Sequence, residues 1–405
     1  MNSFFSIKDF ISTSVTGRKE SLFAQDLKRY HNEIETQIKN KSVLVIGGAG
    51  TIGSSYIKTL LRYKPGKLIV VDINENGLTE LVRDCRSSND TSLPKNFKSY
   101  PVNFGDAVFK KIFKKEAPFD IVANFAAHKH VRSEKDEFSI EAMIENNVLK
   151  AKDLLDLLIQ YPPKHFFCVS TDKATNPVNI MGASKKLMEE VILAYSDTIK
   201  ISTARFANVA FSNGSLPAGF IERIFKRQPL SCPSDVTRYF VSPSESGEIC
   251  LLACVLGKPG DIFFPKLNAE KDLVNFKDIA LNFLSTLHLQ PVYCNTEEEA
   301  KYKAAQLNDS ASEYPVYFFK SETSGEKLYE EFYTAEEELD MDTFASVGVI
   351  KNAPKRSKEE LNAIVNNLTK LFEQPATKDD VVTVLNQLLP GFAHIETGLN
   401  LDQKM

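Results

Sequence analysis

An apolar run rich in β-branched residues, Val43 to Ile46, breaks into Gly47-Gly48-Ala49-Gly50-Thr51-Ile52-Gly53 and resumes as a helical pattern through Ile57, Leu60 and Leu61. Strand, glycine turn and helix in that order constrain the chain strongly. Gly47 permits the tight turn, Gly50 lets an anion approach the backbone, and Gly53 allows the helix to lie close on the sheet. Free N–H groups and the helix dipole at that turn favour a pyrophosphate. A dinucleotide site formed by Gly47, Gly50, Thr51, Ile52 and Gly53 is the expectation.

The pattern repeats downstream. Apolar runs end at Asp72 (KLIVVD), Asn103 (FKSYPVN), near Ala127 (FDIVANFAA), at Thr171 (HFFCVST) and near Asn208 (IKISTARFANV). Helical periods such as IEAMIENNVLKAKDLLDLLIQ and SKKLMEEVILAYS separate them. Strands alternating with helices imply an α/β, Rossmann-type, doubly wound parallel sheet. The expected organisation is a helical N-terminal extension over 1–40, an NAD(P)-binding domain over 41–210, a smaller and mainly substrate-binding domain over 211–350, and a helical tail over 351–405. In that tail Ser357 and Glu360 have capping-box spacing, and a second helix is predicted from near Thr377.

Composition narrows the function classes. With 43% hydrophobic and 25% charged residues, a sizeable core forms and global disorder is excluded. A net charge of −4 gives no electrostatic reason to expect nucleic acid. No apolar run reaches the roughly 18–20 residues of a membrane span, and residues 1–20 do not read as a signal peptide. The 6 cysteines form no CxxC pair and the 6 histidines no metal-ligand spacing, so a reduced cytoplasmic protein without a metal is the simplest expectation.

Several residues stand where chemistry is expected. Asp72, at a strand end, suits the two adenosine ribose hydroxyls and favours NAD over NADP, although Arg83 and Arg86 follow nearby. Asn103, also at a strand end, and Ala126 in NFAAHKHV are further cofactor candidates. Ser170-Thr171-Asp172-Lys173 closes another strand and is followed by Met181-Gly182-Ala183-Ser184-Lys185. By spacing this resembles the active site of extended short-chain dehydrogenase/reductases, in which a Ser or Thr precedes a YxxxK helix and the Lys holds the nicotinamide ribose. Here Met181 stands at the Tyr position, and a thioether carries no proton.

The wider wording is more specific. STDKATNPVNIMGASKKLMEE, together with NFAAHKHV, ENNV, ARFANV, TRYF and GEKLYEE, closely resembles the nucleotide-sugar 4,6-dehydratases of bacterial polysaccharide synthesis, relatives of UDP-N-acetylglucosamine 4,6-dehydratase, from about residue 41 to 335. One branch of that family carries Met at the Tyr position and is associated with retention at C5. The resemblance implies that UDP-N-acetylglucosamine becomes UDP-2-acetamido-2,6-dideoxy-4-hexulose, with a tightly bound NAD or NADP regenerated each turnover. It makes Asp172 the acid towards the C6 oxygen and Lys173 the base at C5. Lys129, His130, Asn208 and Arg238 are expected to contact the sugar nucleotide, and Asn147 to order Lys185. A homo-oligomer is expected from the fold. The family's Arg-Pro-Gly-Glu-Lys reads Thr323-Ser324-Gly325-Glu326-Lys327 here, so one diphosphate contact is missing or moved.

Lys173 must be neutral to act as a base, yet an unperturbed lysine is neutral about once in 2,500 at pH 7. A depressed pKa, driven by burial, Lys185 and the nicotinamide ring, is the expectation. Thr171, Lys185, a water or the Asp172–Lys173 pair are all open as the acceptor of the C4 hydroxyl proton. Two rivals remain: a 4-epimerase of the same fold, and a catalytically silent NAD(P)-binding regulatory protein.

Overall fold

The computed structural model describes residues 5–130, 134–308, 310–321, 327 and 330–396. Its strands in chain order are β1 (Ser42–Ile46), β2 (Lys67–Asp72), β3 (Asn96–Pro101), β4 (Ile121–Asn124), β5 (His165–Val169), β6 (Ile201–Ala204), β7 (Asn208–Val209), β8 (Leu230–Pro233), β9 (Thr237–Val241), β10 (Asp261–Pro265), β11 (Leu273–Asn275), β12 (Gln290–Cys294), β13 (Glu313–Phe319), β14 (Glu338–Asp340) and β15 (Val347–Lys351). Nine of them form one sheet in the order β14-β15-β10-β6-β5-β4-β1-β2-β3. From β3 to β10 every pairing is parallel; β15 and β14 add antiparallel at the far edge.

This is the Rossmann-type sheet that the alternating pattern implies. Both faces of its centre are covered by helices, so β5 is buried at every residue and β1 at all but its first. Such strands read as unbroken apolar runs. The β3 strand lies at an edge and alternates between exposed and half-buried residues, which explains its polar wording, NFKSYP. Strand order reverses between β1 and β4, the switch point where ligands of this fold bind at the carboxyl ends of strands.

Some strands are shorter than their apolar runs. The β4 strand stops at Asn124 because the Asn124 side chain accepts the Ala126 N–H at 3.0 Å and turns the chain. The run ending near Asn208 splits: β6 stays in the large sheet, and β7 joins β9 and β11 in a small one. The large sheet also reaches into residues 211–350, since β10, β14 and β15 return to it along with the Pro243–Leu256 helix, which packs on the Thr51–Leu61 helix. All six cysteines are free and buried. Among the described residues no helix is long and apolar enough to cross a membrane.

The terminal segments are built into the body. Phe10, Ile11 and Val15 enter a second core with Phe220, Phe240, Phe276 and Phe283. The Ser357–Glu360 capping box forms, as does one at Thr377–Asp380. Leu361, Ile364, Leu368, Val381 and Leu385 from the two helices they start join the main core. Those helices pack against the Ile180–Ala194 helix, which follows the STDK strand.

Arg18 fastens the N-terminal segment. Its guanidinium donates to both Glu245 oxygens (2.9 and 3.0 Å), to the Phe240 carbonyl (2.9 Å) and to Asp272 (3.3 Å). Burial pushes the Glu245 carboxyl up, but Arg18 and the Ser242 and Leu22 N–H groups outweigh it and hold it low. Glu245 thus has a structural account here: it closes the Ser242 capping box and neutralises Arg18. Arg18→Ala leaves that buried carboxylate without its cation and is expected to cost about 3 kcal/mol, read as a lower urea midpoint. A loss below about 0.5 kcal/mol would show the pair to be ornamental.

Candidate active site

The glycine turn is shaped by contacts on three sides. Gly47 has φ +76°, and a Cβ there would lie 2.5 Å from the Ala126 backbone nitrogen. A Cβ at Gly53 would lie 2.2 Å from the Gly47 carbonyl oxygen. Gly50 differs: it is the N-cap of the Thr51–Leu61 helix, no side chain caps that helix, and a Cβ would meet nothing nearer than the Gly47 oxygen at 3.5 Å. Gly47 and Gly53 are therefore required by packing. Gly50 faces open space beside N–H groups of the first helical turn, a place suited to an anion.

Asp72 closes the other side of this turn. One carboxylate oxygen accepts the Ala49 N–H and the other the Asn74 N–H, both at 2.9 Å. The side chain is thereby fixed at the strand end, with lone pairs left for hydroxyl donors. Asn103 lies just past β3 and accepts the Gly105 N–H at 2.8 Å, shaping its own turn. Ile52 and Thr51 are half-buried at the helix start. Thr51 Oγ1 accepts the Asn213 N–H at 3.0 Å, while Lys129 Nζ donates to the Asn213 carbonyl at 3.2 Å. The His130 ring lies against Gly214, where a Cβ would be 3.0 Å from it and φ is +75°. Thr51, Lys129 and His130 thus converge on the 213–214 turn, which sequence reasoning did not single out.

The second cluster sits at the carboxyl end of β5. Thr171 Oγ1 donates to Asp172 Oδ1 at 2.8 Å, and Lys173 Nζ donates to the same oxygen at 3.0 Å. Lys173 also reaches Asn208 Oδ1 at 3.4 Å. Asp172 is 1% exposed. Lys185 is buried one turn into the following helix, donating to the Val169 carbonyl at 2.7 Å, with Met188 Sδ at 3.3 Å. Met181 is buried near the start of the same helix, and its N–H is held by Glu134 at 2.9 Å. Residues 393 and 395 donate backbone hydrogen bonds to the Pro177 and Val178 carbonyls, so the tail braces the loop that carries this helix start. Asn147, in a π-helical turn, bridges the His128 backbone and Ser184 Oγ, one residue before Lys185.

Charge at this cluster differs from the sequence expectation. Burial pulls the Lys173 ammonium down, but the Asp172 and Glu330 carboxylates outweigh it and hold Lys173 above its ordinary pKa. The depressed lysine is instead Lys185, lowered by burial against the smaller opposing effects of Cys168 and Glu189. Glu330 is the group sequence reasoning missed. It is 5% exposed, with one oxygen 3.9 Å from Lys173 Nζ and the other 3.9 Å from Lys327 Nζ. Its only sequence signal was its place in GEKLYEE. Arg238, on β9, is buried and faces the same charges. Of the 323–327 segment only Lys327 is described; the rest of that departure lies outside the described residues.

A buried ion network supports the floor of this cluster. Arg205, fully buried, donates through Nε and Nη2 to Glu189 (2.9 and 2.8 Å) and through both terminal nitrogens to Glu337 (3.0 and 2.9 Å). Glu189 in turn accepts the Ser170 hydroxyl at 2.5 Å. Among the described residues no three His, Cys, Asp or Glu side chains gather as a metal site.

Comparison with known proteins places these residues in a lineage. A family model described as polysaccharide biosynthesis protein matches residues 43–352. MJ1061 of Methanocaldococcus jannaschii, described as an uncharacterized membrane protein, is 31% identical over 78% of this chain and 88% of its own. The capsular polysaccharide biosynthesis protein CapD of Staphylococcus aureus is 27% identical over 82% of this chain, which spans about half (54%) of the CapD length. Among solved structures, Pen from Bacillus thuringiensis superposes with a TM-score of 0.61 at 23% identity, over 82% of this chain and 98% of its own, a likeness of fold.

The two kinds of glycine separate by experiment. Gly53→Ala drives a methyl into the Gly47 carbonyl and is expected to cost about 1–3 kcal/mol in thermal or urea unfolding. Gly50→Ala, with φ −72° and an ordinary contact, is expected to stay within about 1 kcal/mol of the parent. Equal losses at both positions would contradict this division.

Proposed function

The chain belongs to the polysaccharide biosynthesis protein family, and on that premise we propose that it is an NAD(P)-dependent nucleotide-sugar 4,6-dehydratase acting on UDP-N-acetylglucosamine. The observation that carries the reading is the hydrogen-bonded Thr171–Asp172–Lys173 cluster at the carboxyl edge of β5, beside Lys185 and Asn208. An acid and a base placed side by side are what water elimination across C5 and C6 requires. Hydride transfer at C4 alone needs an acceptor for the hydroxyl proton but no acid for a departing C6 oxygen.

The residues fit a dinucleotide. Gly50 leaves room at an uncapped helix start, and Asp72 is held where a ribose diol would meet it. A bound nicotinamide supplies the hydride acceptor for C4 and returns the hydride to C6. The carboxylate at Asp72 disfavours a 2′-phosphate, so NAD is the expected form.

Proton handling follows from the cluster. Met181 carries no proton, so the C4 hydroxyl proton passes to Thr171 Oγ1 as the Thr171 proton moves to Asp172, along the 2.8 Å bond already present. Lys173, when neutral, takes the C5 proton. Asp172, now protonated, donates to the C6 oxygen, which leaves as water. The proton that began on the C4 hydroxyl thus ends on the departing water, and Lys173 returns a proton to C5 as the hydride arrives at C6. Arg238 and Lys129 are the candidate cations for the diphosphate, with Asn208 and His130 at the sugar. Asn147 holds the helix that presents Lys185.

Incubating the protein with NAD and UDP-N-acetylglucosamine in deuterated water is expected to give a 4-keto-6-deoxy sugar nucleotide with deuterium at C5, seen by NMR and mass spectrometry. Asp172→Asn and Lys173→Met are each expected to slow turnover by about 10²–10⁴; conversion at the parent rate would remove their assigned roles. A C4 epimer as the product would replace dehydration with epimerisation, and unchanged substrate across several sugar nucleotides would sink both. Gly50→Ala is expected to weaken NAD binding at least about tenfold by calorimetry while sparing the fold, since its methyl would stand where the pyrophosphate must pass; parent-like affinity would move the dinucleotide elsewhere.

A further inference from the structure

The proposed chemistry sets a charge problem that two residues cannot solve. Asp172 must begin as an anion to receive the C4 hydroxyl proton, and Lys173 must begin neutral to receive the C5 proton. Yet Lys173 Nζ lies 3.0 Å from Asp172 Oδ1, and a neighbouring carboxylate favours the ammonium. If the resting proton of Lys173 moved to Asp172, Asp172 could no longer act as acceptor. The proton needs a third site that touches Lys173 and does not serve the sugar.

Among the described residues one other carboxylate faces Lys173. Glu330 Oε1 is 3.9 Å from Lys173 Nζ, so a side-chain shift of about 1 Å makes a hydrogen bond. Its second oxygen, Oε2, is buried and has no hydrogen-bond partner among the described residues. A carboxylate left in that state is costly; a carboxylic acid there is far less so. We propose that Glu330 takes up the proton that Lys173 carries at rest, giving the neutral Lys173 that accepts the C5 proton while Asp172 stays anionic. The inference deepens the dehydratase reading and rests on it for its role in turnover.

The surroundings bear on both groups. Glu330 faces Lys173, Asp172, Arg238 and Lys327; Lys173 faces Asp172, Glu330 and Arg238. Burial first, and then Asp172, push the Glu330 carboxyl up, against Lys173, Arg238 and Lys327, and it stays above the ordinary glutamate value. The step balances: the Lys173 N–H bond breaks, the Glu330 O–H bond forms, the lone pair on Nζ takes the C5 proton, and nothing is oxidised or reduced. Glu330 acts through Lys173 and is a positioning residue for its proton.

Because the charged pair and its neutral tautomer hold the same number of protons, the neutral fraction of Lys173 does not change with pH across neutrality. Without Glu330, neutral Lys173 requires proton loss to solvent, and its fraction rises tenfold per pH unit. The test is reductive methylation of the whole protein with formaldehyde and dimethylamine-borane between pH 6.5 and 8.5. The Lys173 peptide is followed by mass spectrometry, corrected for the reagent's own pH response on an aromatic amine, which stays neutral over this range.

In the parent the Lys173 rate is expected to vary less than about twofold over this range. In Glu330→Gln it is expected to climb about tenfold per unit, and in Glu330→Asp to regain most of the flat profile. The kcat profile is expected to follow the same three shapes. A parent profile that itself climbs tenfold per unit overturns the proposal, and decides the matter even if Glu330→Gln does not fold. A Glu330→Gln variant that loses turnover equally at every pH, with a labelling profile overlaying the parent's, marks a purely structural carboxylate and also overturns it. Methylation reads Lys173 without turnover, so a parent that converts no sugar nucleotide fails the dehydratase reading alone.

Discussion

A guanidinium sealed inside the protein ties the cluster at the β5 edge together. Arg205 is fully buried and shares its donors between Glu189 and Glu337. Desolvating three charges is expensive, and the arrangement survives because every donor of the fork finds an acceptor; Nη1 also reaches the Phe332 carbonyl. Arg205 follows β6, Glu189 lies on the helix that carries Met181 and Lys185, and Glu337 precedes β14. Through Glu189 the network grips Ser170, immediately before Thr171 and Asp172. Three stretches of the chain are thereby fixed around one point, and the Thr171–Asp172–Lys173 cluster stands on it.

Much of the sheet could be read from the chain because its central strands are covered on both faces. Such strands must be apolar between their ends, and β1, β2 and β5 are. The expectation failed where polar side chains redirect the backbone, as Asn124 does at the end of β4. It also said nothing of β10 returning parallel to β6, or of β15 and β14 adding antiparallel beyond it, because a strand that rejoins the sheet after a long excursion leaves no local period. The N-terminal segment was expected only as a helical extension, yet Phe10, Ile11 and Val15 complete a core whose other members lie after residue 209. Amphipathic spacing marks a face to be covered and is silent on what covers it.

The site divides in the same way. Gly47, Gly53, Asp72, Thr171, Asp172, Lys173 and Lys185 were visible because each sits at a fixed offset from a strand end, where topology brings ligands. Glu330 and the 213–214 turn were not, since they reach the cleft from loops with no such offset. The charge on Lys173 was misjudged for a related reason. Burial and Lys185 were weighed without the opposing pull of the adjacent Asp172, and the second opposing carboxylate, Glu330, lies in a different part of the chain. A pKa belongs to a neighbourhood in space, and one-dimensional reading sees only a part of it.

The tail's grip on the Pro177–Val178 carbonyls carries a consequence for how the molecule is made. Those carbonyls leave the ribosome long before the N–H groups of Ala393 and Ile395 that satisfy them. Until then the turn ahead of Met181 lacks its last backbone partners, so a nascent chain can hold a finished sheet while that turn still awaits residues 393 and 395.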